Sequence, residues 1–112
     1  MLIVHRKKNV TKLIDQSILS GKSIGLVPTM GSLHKGHLTL IKQAKDKNDV
    51  VWVSIFINPI QFNNINDFKK YPKNLKKDVN LIKSISKKIN VFVPNEKEIY
   101  DGTPKLKIYD FK

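Results

Sequence analysis

Apolar residues along the chain form compact runs and helical stripes by turns, and the alternation predicts the elements. Leu2-Ile3-Val4 reads as a short edge strand. Val10, Leu13, Ile14 and Ile18 then fall at i, i+3, i+4 and i+8, one face of a helix. Gly21 stands where a left-handed residue would end that helix. Ile24-Gly25-Leu26-Val27, running into Pro28-Thr29, reads as a buried strand. Met30 to Gly36 holds two glycines and no periodicity, which predicts a loop. A second helix is expected from about His37 to Lys47, with Leu38, Ile41 and Ala44 turned inward. Val50 to Ile57 is the strongest strand, and its near-continuous apolar character predicts a parallel strand covered on both faces. Asn58-Pro59 breaks it. The polar, Asn-rich stretch 61–73 reads as a surface loop with a short helix near Asp67. Leu75, Val79, Ile82 and Ile89 predict a third helix, followed by the strand Val91-Phe92-Val93 and a stop at Pro94. Thr103 to Lys112 reads as the beginning of another strand.

Strand and helix alternating with short links predict an α/β fold with a parallel sheet. The 112 residues suffice for one domain, and no repeat, low-complexity tract or linker divides them. The absence of cysteine excludes disulfide scaffolds, thiolate zinc sites and thiol nucleophiles. Only Met1 and three further apolar residues, Leu2 to Val4, precede the first charges, short of a signal peptide, and no run approaches a membrane span. The expectation is a soluble, cytoplasmic protein with no membrane partner.

The net charge of +12 raises the question of nucleic acid. Of the 21 basic residues all but Arg6 are lysines, whereas base-edge and phosphate-fork recognition favours the planar guanidinium. The lysines are scattered over several helices, without a stripe of interleaved aromatics. A solvated surface of AT-rich codon usage accounts for them, and no nucleic-acid partner is expected. The diffuse positive field still attracts an anionic ligand.

In a parallel α/β sheet, ligands sit beyond the C-terminal ends of the strands. Pro28 through His37 and Asn58 through Phe62 both emerge there. The first passes from strand through glycine loop to helix N-terminus, where unpaired N–H groups and the helix dipole make phosphate the natural ligand. It is not a Walker A loop, because His37-Leu38 stands where Lys-Ser/Thr is required, and the dinucleotide glycine fingerprint is missing as well. What remains is His34-x-Gly36-His37. The two histidines, three apart, lie on one side of a first helical turn and can donate to phosphate oxygens. Gly36 leaves room for a base or ribose. On the residues alone the alternative stays open that both histidines are surface groups and the glycines only shape a turn. No third ligand of the usual kind accompanies them, so no metal site is expected. His5 stands apart, as a structural or solvated residue.

Leu26-Val-Pro-Thr-Met-Gly-Ser-Leu-His-Lys-Gly-His-Leu38 resembles the nucleotide-binding signature of the pantothenate synthetase (pantoate–β-alanine ligase) family. Val53-Ser-Ile-Phe-Ile-Asn-Pro-Ile-Gln-Phe62 resembles its second signature. The His-x-Gly-His element alone marks only the wider nucleotidyltransferase superfamily; the Pro-Thr-Met-Gly lead-in and Asn-Pro-x-Gln-Phe narrow it to this family. The Tyr71-Pro72 and Glu98-Ile99-Tyr100 stretches are similar too. The resemblance implies a Rossmann-like parallel sheet of the HxGH nucleotidyltransferase type. It implies ATP as co-substrate with Mg²⁺, pantoate and β-alanine as the other substrates, a pantoyl-adenylate intermediate, and a homodimer. It further implies that Met30, Gly31, Ser32, Leu33, His34, Lys35, Gly36 and His37 line the ATP site. His34 and His37 would then be catalytic, with His37 as the proton donor. Gln61 would hold pantoate and β-alanine, with Asn58, Thr29 and Pro28 beside it.

The chain departs from the family pattern at Lys73, where Arg is usual, and at Asp101, where Pro is common. The loop from Asn63 to Asp67 is less acidic than in typical relatives. Family members are also more than twice as long. By that resemblance residues 1–112 are the N-terminal portion of the nucleotide-binding domain, incomplete on the C-terminal side, and a weak or inactive enzyme alone. The competing readings are another HxGH nucleotidyltransferase, an inactive truncated remnant, and a basic nucleic-acid-binding module.

Overall fold

The computed structural model describes residues 1–56, 71–94 and 107–108, with 71–73 and 107–108 described by backbone alone. In chain order the elements are β1 (Ile3–Val4), α1 (Lys7–Leu19), β2 (Ile24–Thr29), α2 (Lys35–Lys47), β3 (Val50–Ile55), α3 (Tyr71–Ile85), β4 (Asn90–Phe92) and β5 (Lys107–Ile108). Among the described residues all the strand pairs are parallel, in the order β1-β4-β3-β2-β5. The longest pairing joins β2 to β3 and runs in register from Ile24↔Val50 to Thr29↔Ile55. From β2 the chain winds through β3 to β4 on one side, then returns to the other side of β2 as β5. The winding direction therefore reverses at β2, and such a reversal opens a crevice at the C-terminal end of the strand.

Pro28 sits within β2 without cost to the ladder between β2 and β3. The Thr29 carbonyl accepts from Phe56 N–H at 2.9 Å, so by strand alternation the backbone of Pro28 faces away from β3.

The burial of β3 explains its continuous apolar character. Val51, Val53 and Ile55 point to one face, where Ile41 and Ala44 of α2, Ile82 of α3 and Val91 of β4 complete a core. Trp52 points to the other face and packs with Ile24 and with Val10 and Ile14 of α1. Helices thus cover both faces of the sheet, as the sequence predicts for a parallel strand.

Helix α1 ends as expected. Gly21 has φ +77°, Gly21 N–H donates to the Ile18 carbonyl at 2.9 Å, and Lys22 N–H to that of Ser17 at 3.0 Å. These are the two reversed bonds of a Schellman motif, which satisfy carbonyls the helix leaves without partners.

Besides small differences at the ends of β1, β3 and β4, three features differ from the sequence reading. Helix α2 starts at Lys35 rather than His37, because the His34 side chain caps it. Helix α3 already includes residues 71–73, which read as loop; Pro72 lies in its first turn, where a missing N–H breaks no helical bond. Ile89 lies past the end of α3, 1% exposed, and fills the core just before β4. The terminal strand is present as β5, which pairs with Gly25 and Leu26. The expected short helix near Asp67 lies outside the described residues. No helix among the described residues is long and apolar enough to cross a membrane.

Candidate functional site

The loop from Met30 to His34 leaves the C-terminal end of β2, at the crevice where the winding reverses, and enters α2. Its start is pinned by Thr29, a buried residue whose hydroxyl donates to the Ser54 carbonyl at 3.0 Å and accepts Gly31 N–H at 3.3 Å. Gly31 (φ +84°) and Ser32 (φ +52°) are both left-handed in succession. Only the first is a glycine, so the turn carries backbone strain at Ser32.

The two histidines form a reciprocal cap at the start of α2. His34 Nδ1 accepts Gly36 N–H at 3.0 Å, and His37 Nδ1 accepts the backbone N–H of His34 at 3.1 Å. The His34 side chain also takes the backbone N–H of His37, which completes a capping box made of imidazoles. The ring centroids lie 4.1 Å apart at a 49° tilt. Because each Nδ1 is an acceptor, each neutral ring must carry its proton on Nε2. The cap thus sets the tautomer of both rings and makes Nε2–H the donor each one presents beyond the cap.

Burial pushes the pKa of His37 down, and the neighbouring His34 adds to this, while Asp78 pulls it back up. The ring is therefore a neutral hydrogen-bond donor at neutral pH rather than a cation.

Sequence reasoning does not single out Asp78. It is 3% exposed, on the inward face of α3, and its carboxylate accepts Ser32 N–H and Leu33 N–H, each at 2.9 Å. The available signal is a carboxylate at a core position of the helical stripe, between Leu75 and Ile82 and beside Val79.

The expected cradle of unpaired amides takes a different form. The N–H groups of Gly31, Ser32, Leu33, His34 and Gly36 all bond within the protein, to Thr29, Asp78, Asp78, His37 and His34.

The structure brings Met30, Gly31, Ser32, His34, Lys35, Gly36 and His37 together around the start of α2, with Met30, Ser32, His34 and Lys35 exposed and Gly31, Gly36 and His37 half-buried. The Leu33 side chain is buried in the core beneath the loop. Pro28 and Thr29 end the strand that feeds it. Asn58 and Gln61 lie outside the described residues, as does Asp101. Lys73 is in the first turn of α3. His5 sits away from the loop with Nδ1 3.2 Å from the Val93 carbonyl oxygen, a structural contact.

Comparison with known proteins decides the family, since the family described as pantoate-beta-alanine ligase matches residues 2–111. The chain belongs to that family. A pantothenate synthetase of Flavobacterium psychrophilum is 43% identical over 99% of this chain and 39% of its own length. One from Francisella tularensis subsp. novicida is 50% identical over 85% of this chain and 38% of its own. Among solved structures, the Francisella tularensis pantoate-beta-alanine ligase complexed with beta-gamma ATP and beta-alanine superposes with a TM-score of 0.69. Its sequence is 47% identical, covering 95% of this chain and 42% of that one. Pantothenate synthetase from Thermus thermophilus gives a TM-score of 0.62 at 35% identity, covering 94% and 36% of the two chains. The chain thus spans about two fifths of the length of these relatives. The α/β sheet of this chain and its loop from Met30 to His37 lie within the matched residues 2–111.

Proposed function

We propose that this chain is the N-terminal portion of the nucleotide-binding domain of an ATP-dependent pantoate–β-alanine ligase. The observation that carries the reading is the imidazole capping box, which uses Nδ1 of both rings as acceptors, so that each neutral ring carries its proton on Nε2, with the ring centroids 4.1 Å apart just beyond the end of β2. In the reaction a pantoate carboxylate oxygen attacks the α-phosphorus of ATP. The bond to the β-phosphate oxygen breaks, and pyrophosphate leaves. The amine of β-alanine then attacks the acyl carbon, its proton is lost, and AMP departs to leave pantothenate.

His34 and His37 donate Nε2–H to phosphate oxygens. Such bonds strengthen as charge gathers on departing pyrophosphate, which is where stabilisation accelerates the step. A neutral His37 suits this role, since it gives a directed hydrogen bond without needing to gain a proton first. Met30, Gly31, Ser32, Lys35 and Gly36 border the same nucleotide, with the backbone at Leu33. Mg²⁺ belongs to the ATP substrate and is held chiefly by its phosphate oxygens. Gln61 holds pantoate and then β-alanine, with Asn58, Thr29 and Pro28 nearby. Lysine-rich rather than arginine-rich charge supports small anionic ligands over nucleic acid. The same reading carries a cytoplasmic location and the homodimer implied by the resemblance.

The test is pantoate-dependent exchange of labelled pyrophosphate into ATP, with the ring signals of His34 and His37 followed by NMR as ATP-Mg²⁺ is added. The expected result is both rings responding to nucleotide, and weak exchange that requires pantoate and disappears in His37→Ala. Exchange indifferent to pantoate would overturn the substrate. Rings unmoved by saturating ATP would overturn the site.

A further inference from the structure

The loop that carries both histidines is held from beneath by a group outside either signature. Asp78 lies on the core face of α3 and is almost wholly buried. Its two oxygens divide the work, Oδ2 accepting Ser32 N–H and Oδ1 accepting Leu33 N–H, both at 2.9 Å. Two successive amides meet one carboxylate here, in a turn where Gly31 and Ser32 are both left-handed. A strained conformation at a non-glycine residue persists only where its surroundings over-determine it. The carboxylate does this, since it offers two acceptor oxygens in a fork and no donor. An asparagine would turn an NH₂ against one of the two N–H groups. Leu33 is anchored at the same time by its side chain in the core, so the loop is fixed both by packing and by charge immediately before His34.

We propose that Asp78 is a positioning residue: it locks the Ser32–Leu33 turn so that the His34 and His37 Nε2–H groups converge on one phosphate. This rests on the nucleotide reading above, and the carboxylate acts through the loop without touching the nucleotide. Its influence on His37, noted above, agrees with that closeness.

The experiment compares wild type, Asp78→Asn and Asp78→Glu in the full chain. The readouts are amide and imidazole NMR signals without nucleotide and, separately, pyrophosphate exchange resolved into kcat and KM. In Asp78→Asn the core amides and Trp52 fluorescence should stay at wild-type values. The Ser32 and Leu33 amides and both histidine rings should shift, and kcat should fall by about 10²-fold with a smaller change in KM for ATP. Asp78→Glu, which keeps two acceptor oxygens, should recover part of that loss. Ring signals and kcat unchanged in a folded Asp78→Asn would overturn the proposal. Unfolding of both variants would also overturn it, by making Asp78 a residue that holds the fold rather than the loop. If wild type ignores ATP, the nucleotide reading fails by itself, and the amide and ring signals still decide whether Asp78 sets the loop.

Discussion

His37 Nδ1 accepts the backbone N–H of His34 at 3.1 Å, while the ring of His34 caps the helix on which His37 sits. One pair of side chains therefore starts α2 and sets the tautomers that the proposed chemistry needs. Structural and chemical duties fall on the same two rings, through Nδ1 and Nε2 respectively, and substitutions can be chosen to separate them.

His34→Ala should lose both duties. Losing the cap should destabilise the chain by about 1 kcal/mol, and losing the phosphate donor should slow exchange by about 10²–10³-fold. Asparagine is a good N-cap but has no group where Nε2–H lies. His34→Asn should therefore unfold in urea at the wild-type midpoint yet remain as slow as His34→Ala. An Asn variant with normal exchange would show that capping alone is what His34 provides.

Stability should depend on pH through His37. Its folded-state pKa is lowered, first by desolvation and then by His34, so the unfolded chain protonates more readily, near about 6.5. Between the lowered value and about 6.5 the unfolded state binds more protons, so stability rises with pH across that window. The contribution is complete above the window and is lost as pH falls through it. His37→Gln should flatten the slope of urea midpoint against pH in that range.

The Schellman end of α1 offers a purely conformational test. A Cβ at Gly21 would meet nothing within 4 Å, so only the backbone angle opposes a side chain there. Gly21→Ala should cost about 1–2 kcal/mol and Gly21→Asn less, as read from thermal or urea unfolding. Equal losses in both variants would point to a cause other than the left-handed φ.

Ile41 is fully buried between α2 and the sheet. Ile41→Ala should lower the unfolding free energy by about 2–5 kcal/mol, and Ile41→Val by about 1 kcal/mol. Because Ile41 also seats α2, the larger change should broaden the His34 and His37 resonances as well.

Much of the architecture is legible in the residues, and the exceptions have physical causes. The unbroken apolar run of β3 identifies a strand covered on two faces, because only such a strand lacks polar alternation. Gly21 identifies a helix end, because few other residues adopt its angle. The start of α3 is harder to read: residues 71–73 follow an Asn-rich stretch, and Pro72 reads as a break in structure although a helix tolerates proline in its first turn. Ile89 fits the helical stripe by spacing, yet the turn at Lys87–Lys88 takes it to the core by another route. At the site, spacing places His34 and His37 on one side of a turn but does not say which nitrogen accepts from which amide. That follows only from the loop, which is shaped by a carboxylate on a different helix.

The bond from Ser32 to Asp78 joins positions 46 residues apart. Closing so long a loop has an entropic cost that only later contacts offset, so the turn must wait until α3 has docked. On a growing chain β2 and the two histidines would emerge well before the group that tethers them. Order in the loop that carries the histidines is therefore expected late in folding.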